Sequence, residues 1–157
     1  QCTLVPVVPG EITSQAGWRA EEAATLAADI AGLRALGIRV SVFVDADVAP
    51  VRWAATLGAD RVELFTEPFA RAFATGAAEG RRSFDGFVTA ATAAHDAGLG
   101  VNAGHDLDLD NLTLFRRLPH LAEVSIGHAL ISRALFVGLD RVVREYLAVL
   151  ADPSVPQ

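Results

Sequence analysis

The sequence holds no methionine, one cysteine, one tyrosine and two tryptophans. A lone Cys2 closes no internal disulfide, which fits a reducing, cytoplasmic setting. Within its apolar run it reads as a small core filler. No apolar run approaches the ~18 residues of a membrane span. No basic segment followed by an apolar one marks a secretory leader. GxGxxG and GxxxxGK[ST] are both missing, and with them the usual dinucleotide and P-loop signatures. No spaced Cys/His set suggests zinc. Clustered Lys and Arg are missing too. The formal charge of −6 argues against nucleic acid as a partner, while leaving room for one local phosphate site. A chain that starts with Gln and contains no Met is expected to lack a preceding portion.

What is present is regular. The 157 residues are 52% hydrophobic, enough for one domain (1–157) with a real core. Short apolar or β-branched runs alternate with Ala/Leu-rich stretches of helical period. The runs predict strands over 2–7, 39–44, 61–65, 99–103 and 123–127. Helices are predicted over 18–36, 48–57, 83–97, 110–117 and 131–150, the last broken near Gly138. In the first helix Ala23, Leu26, Ala27, Ile30 and Leu33 recur three and four apart and form one buried stripe. Gly37, Gly58 and Gly98 stand as helix stops. The segment 66–82 reads as an irregular connection folded over the mouth of the site. Alternating strands and helices give an α/β chain with a parallel sheet. Two architectures fit: a five-stranded doubly wound sheet, or about five βα units of a (β/α)₈ TIM barrel.

Both architectures gather ligand chemistry at the carboxyl ends of the strands, so those ends are the place to look. They carry Asp45, Glu63, Thr66, Asn102 and two Gly-His pairs, Gly104-His105 and Gly127-His128. Imidazoles titrate near neutral pH and suit proton transfer. A Gly before the His lets backbone approach a ligand closely. Loop amides at a helix start can hold an anion. Glu63 lies inside a strand; facing the interior it needs a partner, and facing a helix it would form an ion pair. Asp47 reads as the N-cap of the second helix, a role open to Asp45 as well. The run DLDLDN (106–111) is no calcium loop, since its sixth and twelfth places hold Asn111 and Arg117; capping of the next helix accounts for it. His95 and His120 read as structural or solvated.

The segments TLVPVVPGEITSQAGW, VSVFVDAD, VNAGHDL and SIGHALISRALFVGL closely resemble, in that order, the fourth strand with its loop and the later strands of the pyridoxine 5′-phosphate synthase family. The resemblance covers essentially the whole chain and implies strands four to eight of that family's barrel. It implies a homo-oligomer, typically an octamer, that needs no metal or organic cofactor. The implied reaction condenses 1-deoxy-D-xylulose 5-phosphate with 3-amino-2-oxopropyl phosphate to pyridoxine 5′-phosphate, phosphate and water. By position, His105 matches the proton donor and Glu63 a glutamate that stabilises transition-state charge. Thr13 matches a substrate-binding threonine, Gly127 and His128 a phosphate- or substrate-binding pair, and Asp106 a ligand-contact position. The sequence departs from the family pattern at Val7-Val8-Pro9, where a charged pair is usual. It departs again at Phe65 and Glu67, which replace His and Gly, and at Asp106, where Gly is common. The family's first three strands, with further catalytic residues, have no counterpart in this sequence. A non-catalytic domain that binds a phosphorylated small molecule, either five-stranded or a self-pairing half-barrel, is the alternative reading.

Overall fold

The computed structural model describes residues 1–151. Its strands are β1 (Cys2–Leu4), β2 (Val40–Val44), β3 (Arg61–Phe65), β4 (Gly100–Gly104) and β5 (Leu121–Ser125). All neighbours are parallel, and the spatial order is the chain order, β1-β2-β3-β4-β5. That order separates the two architectures. Crossovers between parallel strands are right-handed, so connections that always step the same way place every helix on one face. A doubly wound sheet must reverse direction to cover its second face. This sheet never reverses and is therefore barrel-like.

The helices are α1 (Ala23–Ala35), preceded by a 3-10 turn at Ala20–Glu22, then α2 (Val48–Thr56), α3 (Glu67–Thr75) and α4 (Ala77–Asp96). After these come α5 (Leu112–Phe115), α6 (His128–Val137) and α7 (Leu139–Ala151). Strand alternation sorts the side chains. Val40, Val42, Val44, Val62, Leu64, Val101 and Ala103 form one core with Leu26, Ile30, Val51, Phe69, Phe87 and Phe115 from the helices. Phe43 and Phe65 are buried but lie outside that cluster. They belong to the other face, with Ser41, Arg61, Glu63 and Asn102.

The second face is concave. In a flat sheet β1 and β5 would lie four spacings apart, roughly 19 Å. Here the Gln1 side-chain amide donates to Glu123 Oε2 at 2.8 Å. Thr3 on β1 and Ser125 on β5 both reach Glu63 Oε2 of the central strand, at 3.0 and 3.4 Å. The two edges bend toward each other over β3. This is the curvature of a partial (β/α)₈ barrel.

Three expectations are corrected. β1 ends at Leu4 rather than residue 7, because Pro6 cannot donate to a ladder and its carbonyl is taken by the Ser14 hydroxyl at 2.6 Å. β5 begins and ends two residues earlier than read. It also carries a bulge: Val101 pairs with Leu121 and Asn102 with Glu123, leaving Ala122 unpaired, which turns Glu123 onto the concave face. The segment 66–82 is helical. It forms α3 and the first turns of α4, and Phe69 anchors it in the core. The other helices shift at their ends only, and the break before α7 falls at Gly138 as expected.

Candidate functional site at the carboxyl ends of the strands

Strand β3 places Glu63 on the concave face, beside Phe43 of β2 and Asn102 of β4 in register. Glu63 is 6% exposed. Its partners are the two hydroxyls from the sheet edges, Thr3 and Ser125, not a cation on a helix. Hydroxyl donors of this kind make a buried carboxylate tolerable. Below it, toward the amino ends of the strands, Arg61 donates to Asn102 Oδ1 at 2.8 Å, and Arg39 and Arg61 both pair with Glu123 at 3.0 and 3.4 Å. The concave face thus has a polar floor and Glu63 at mid-height.

Gly104 ends β4, opposite Phe65, and His105 follows it. The imidazole is half-buried. It leans on Phe43 and Phe65, with ring centroids 4.7 and 5.3 Å away. Phe65 is thus one wall of the His105 seat. His105 and Asp106 both have left-handed backbone, φ 82° and 58°. The Asp106 carbonyl accepts from Asn111 Nδ2 at 3.0 Å.

The loop between β1 and α1 folds over these strand ends. The Gly17 amide donates to Asp45 Oδ1 at 3.0 Å, the Trp18 amide to the Phe43 carbonyl at 3.0 Å, and the indole to the Leu4 carbonyl at 2.9 Å. Asp45 is therefore the anchor of this loop and not a helix cap. Asp47 does occupy the N-cap position of α2, without a side-chain cap bond. A cleft of ≈ 250 Å³ lies between the loop and the β4 end, lined by Thr13, Ser14, Glu11, Val7 and His105.

The structure brings Thr13 and His105 to one cleft and sets Glu63 on the same concave side. Gly127 and His128 stand at the carboxyl end of β5, exposed and outside that cleft. Gly127 is the N-cap of α6 and His128 its first residue. The two Gly-His pairs are therefore not equivalent. Gly104 also differs from its expected use: a Cβ there would lie 2.4 Å from Glu63 Oε1, so its missing side chain makes room for the carboxylate. Asp108, inside DLDLDN, does shape the start of α5: its Oδ1 accepts from the amides of Asp110 and Asn111 at 2.9 and 2.8 Å. Thr3, Ser125 and Phe43 escaped the sequence reading. Their only signal was alternation within their strands, which names a face but no partner. His95 and His120 stack on each other, centroids 3.7 Å apart, at the amino ends of β4 and β5. Among the described residues no helix is long and apolar enough to cross a membrane.

The chain is similar to known proteins over nearly its whole length. Residues 1–152 match the family described as pyridoxal phosphate biosynthesis protein PdxJ. The pyridoxine 5′-phosphate synthase of Porphyromonas gingivalis is 48% identical over 153 residues, covering 96% of this chain and 63% of its own. That of Leptospira biflexa is 46% identical over 154 residues, covering 96% and 59%. That of Xanthomonas axonopodis pv. citri is 50% identical over 157 residues, covering 99% and 61%. The chain spans about six-tenths of the length of these curated relatives. A match over nearly the whole chain, on a sheet curled as a barrel segment, shows that this chain belongs to the PdxJ family of pyridoxal phosphate biosynthesis proteins.

Proposed function

We propose that this chain carries the carboxyl-terminal half of a pyridoxine 5′-phosphate synthase site. The reaction joins 1-deoxy-D-xylulose 5-phosphate to 3-amino-2-oxopropyl phosphate, giving pyridoxine 5′-phosphate, phosphate and water. The observation that carries the reading is the placement of Glu63 and His105 on one concave face, at and above the middle of adjacent strands β3 and β4, in a chain that matches the family over residues 1–152. The amine of one substrate condenses with a carbonyl of the other, and each loss of water needs a proton delivered to the departing oxygen. His105 is the donor, a role suited to an imidazole near neutral pH. Glu63, out of water, faces the positive charge that develops as the carbon–nitrogen bond forms; a carboxylate acts more strongly there than in bulk solvent. Thr13, across the cleft from His105, holds substrate. Gly127 and His128 hold a phosphate or substrate group at the start of α6, and Asp106 is a ligand contact. The same reading takes a homo-oligomer in the cytoplasm, with phosphorylated small molecules as its ligands.

The test is His105→Ala in the assembled active protein. Turnover should fall by about 10²- to 10⁴-fold while circular dichroism stays unchanged. Unchanged turnover contradicts the role given to His105. Calorimetric binding of both substrates with no product from any form of the protein would instead support a binding domain without catalysis.

A further inference from the structure

We infer that Thr66 is a positioning residue: its side chain holds the backbone that presents His105 and so fixes the imidazole between Phe43 and Phe65. Its meaning for catalysis rests on the reading of His105 as proton donor.

Thr66 is completely buried. It stands at the N-cap of α3, where a threonine hydroxyl ordinarily accepts from the first amides of the helix. Here it makes no such bond. The hydroxyl turns to the neighbouring strand, within hydrogen-bonding reach of the Gly104 carbonyl at 2.6 Å and of the His105 carbonyl. The Thr66 amide also donates to the Gly104 carbonyl at 2.9 Å. One residue after β3 is thus tied twice to the end of β4, at the point where the chain becomes left-handed.

That point is strained. His105 and Asp106 are consecutive non-glycine residues at φ 82° and 58°, a region that L side chains occupy at a cost and keep only when the surroundings hold them there. Thr66 holds the near side. Asn111, 3% exposed, holds the far side, donating to the Asp106 carbonyl while its Oδ1 accepts from the Asp108 amide, each at 3.0 Å. Between these ties the backbone has one way to run. The imidazole then meets Phe43 at a 49° tilt and Phe65 edge-on at 83°.

His105→Gln identifies the His105 imidazole signals by their disappearance. Two phenyl rings within about 5 Å should displace them from the position of exposed His128. Thr66→Ala removes the hydroxyl without adding bulk; Thr66→Ser keeps it. In folded Thr66→Ala the His105 signals should move toward those of His128, and in Thr66→Ser they should stay. Signals that stay in folded Thr66→Ala overturn the inference. Unfolding of Thr66→Ala and of isosteric Thr66→Val, with Thr66→Ser folded, overturns it too, since Thr66 is then simply structural. In the active protein Thr66→Ala should lose roughly 10²-fold in kcat, as a misplaced group does, with KM little changed and Thr66→Ser close to wild type. A moved imidazole with unchanged kcat overturns the catalytic part. A harmless His105→Gln instead removes the proton-donor reading and leaves the spectroscopic result on Thr66 intact.

Discussion

Gly104 and Glu63 occupy one space. A Cβ on Gly104 would sit 2.4 Å from Glu63 Oε1 and 3.1 Å from the Cβ of Ser125, whereas a Cβ on Gly127 meets nothing. The two Gly-His pairs should therefore respond differently to the same substitution. Gly104→Ala must displace the Glu63 carboxylate in its buried seat and should destabilise by about 1–3 kcal/mol, the usual range for overpacking. Gly127→Ala should stay within about 0.5 kcal/mol of wild type, as open surface changes do. Urea unfolding of the two variants checks both. At this scale the sequence was legible where chemistry sits at a strand end. Glu63, Thr66, Asn102 and His105 could all be picked out that way. Their partners were not legible, because Thr3 and Ser125 lie 60 and 62 residues from Glu63, and only strand order and register bring them together.

Helix α3 shows how an element was missed. Its only fully buried residue is Phe69, and its apolar stripe, Phe69 with half-buried Ala72 and Phe73, spans too few turns to show a period. The available signals were Glu67 and Pro68 at its start, an acid and a proline in the first turn. Phe69 anchors that short stripe, since its ring lies 4.9–6.2 Å from those of Phe73, Phe84, Phe87 and Phe115. Phe69→Ala should cost about 3–5 kcal/mol, read from thermal or urea unfolding. The α6–α7 pair depends on charge at its exposed side. Glu145 on α7 accepts from Arg133 of α6 at 2.6 Å and from Arg141 at 3.0 Å. The Arg133 hydrogen bond holds its carboxyl below the ordinary glutamate value. A carboxyl lowered by folding stabilises at pH above its ordinary value and loses that contribution as pH falls through the lowered one. Hydrogen exchange in α6 and α7 should therefore quicken in that acid range, and Glu145→Gln should remove this step. An unchanged acid profile in Glu145→Gln contradicts the assignment.

For the whole molecule, periodicity supplied alternating strands and helices but could not tell a doubly wound sheet from a barrel segment. That distinction lies in strand order, which no local pattern encodes; only the resemblance pointed to it. The structure adds curvature. The bend brings Thr3 and Ser125 to one carboxylate, and it sorts the histidines by end. His105 and His128 follow β4 and β5, while His95 and His120 precede them. The central claim is that phosphorylated substrates bind at the carboxyl ends of the strands on the concave side. The most direct measurement follows the imidazoles of His95, His105, His120 and His128 by NMR during titration with 1-deoxy-D-xylulose 5-phosphate. The claim predicts that His105 and His128 shift with saturation while the stacked pair at the opposite end stays still. Shifts confined to His95 and His120, or no saturable shift at His105, would contradict it.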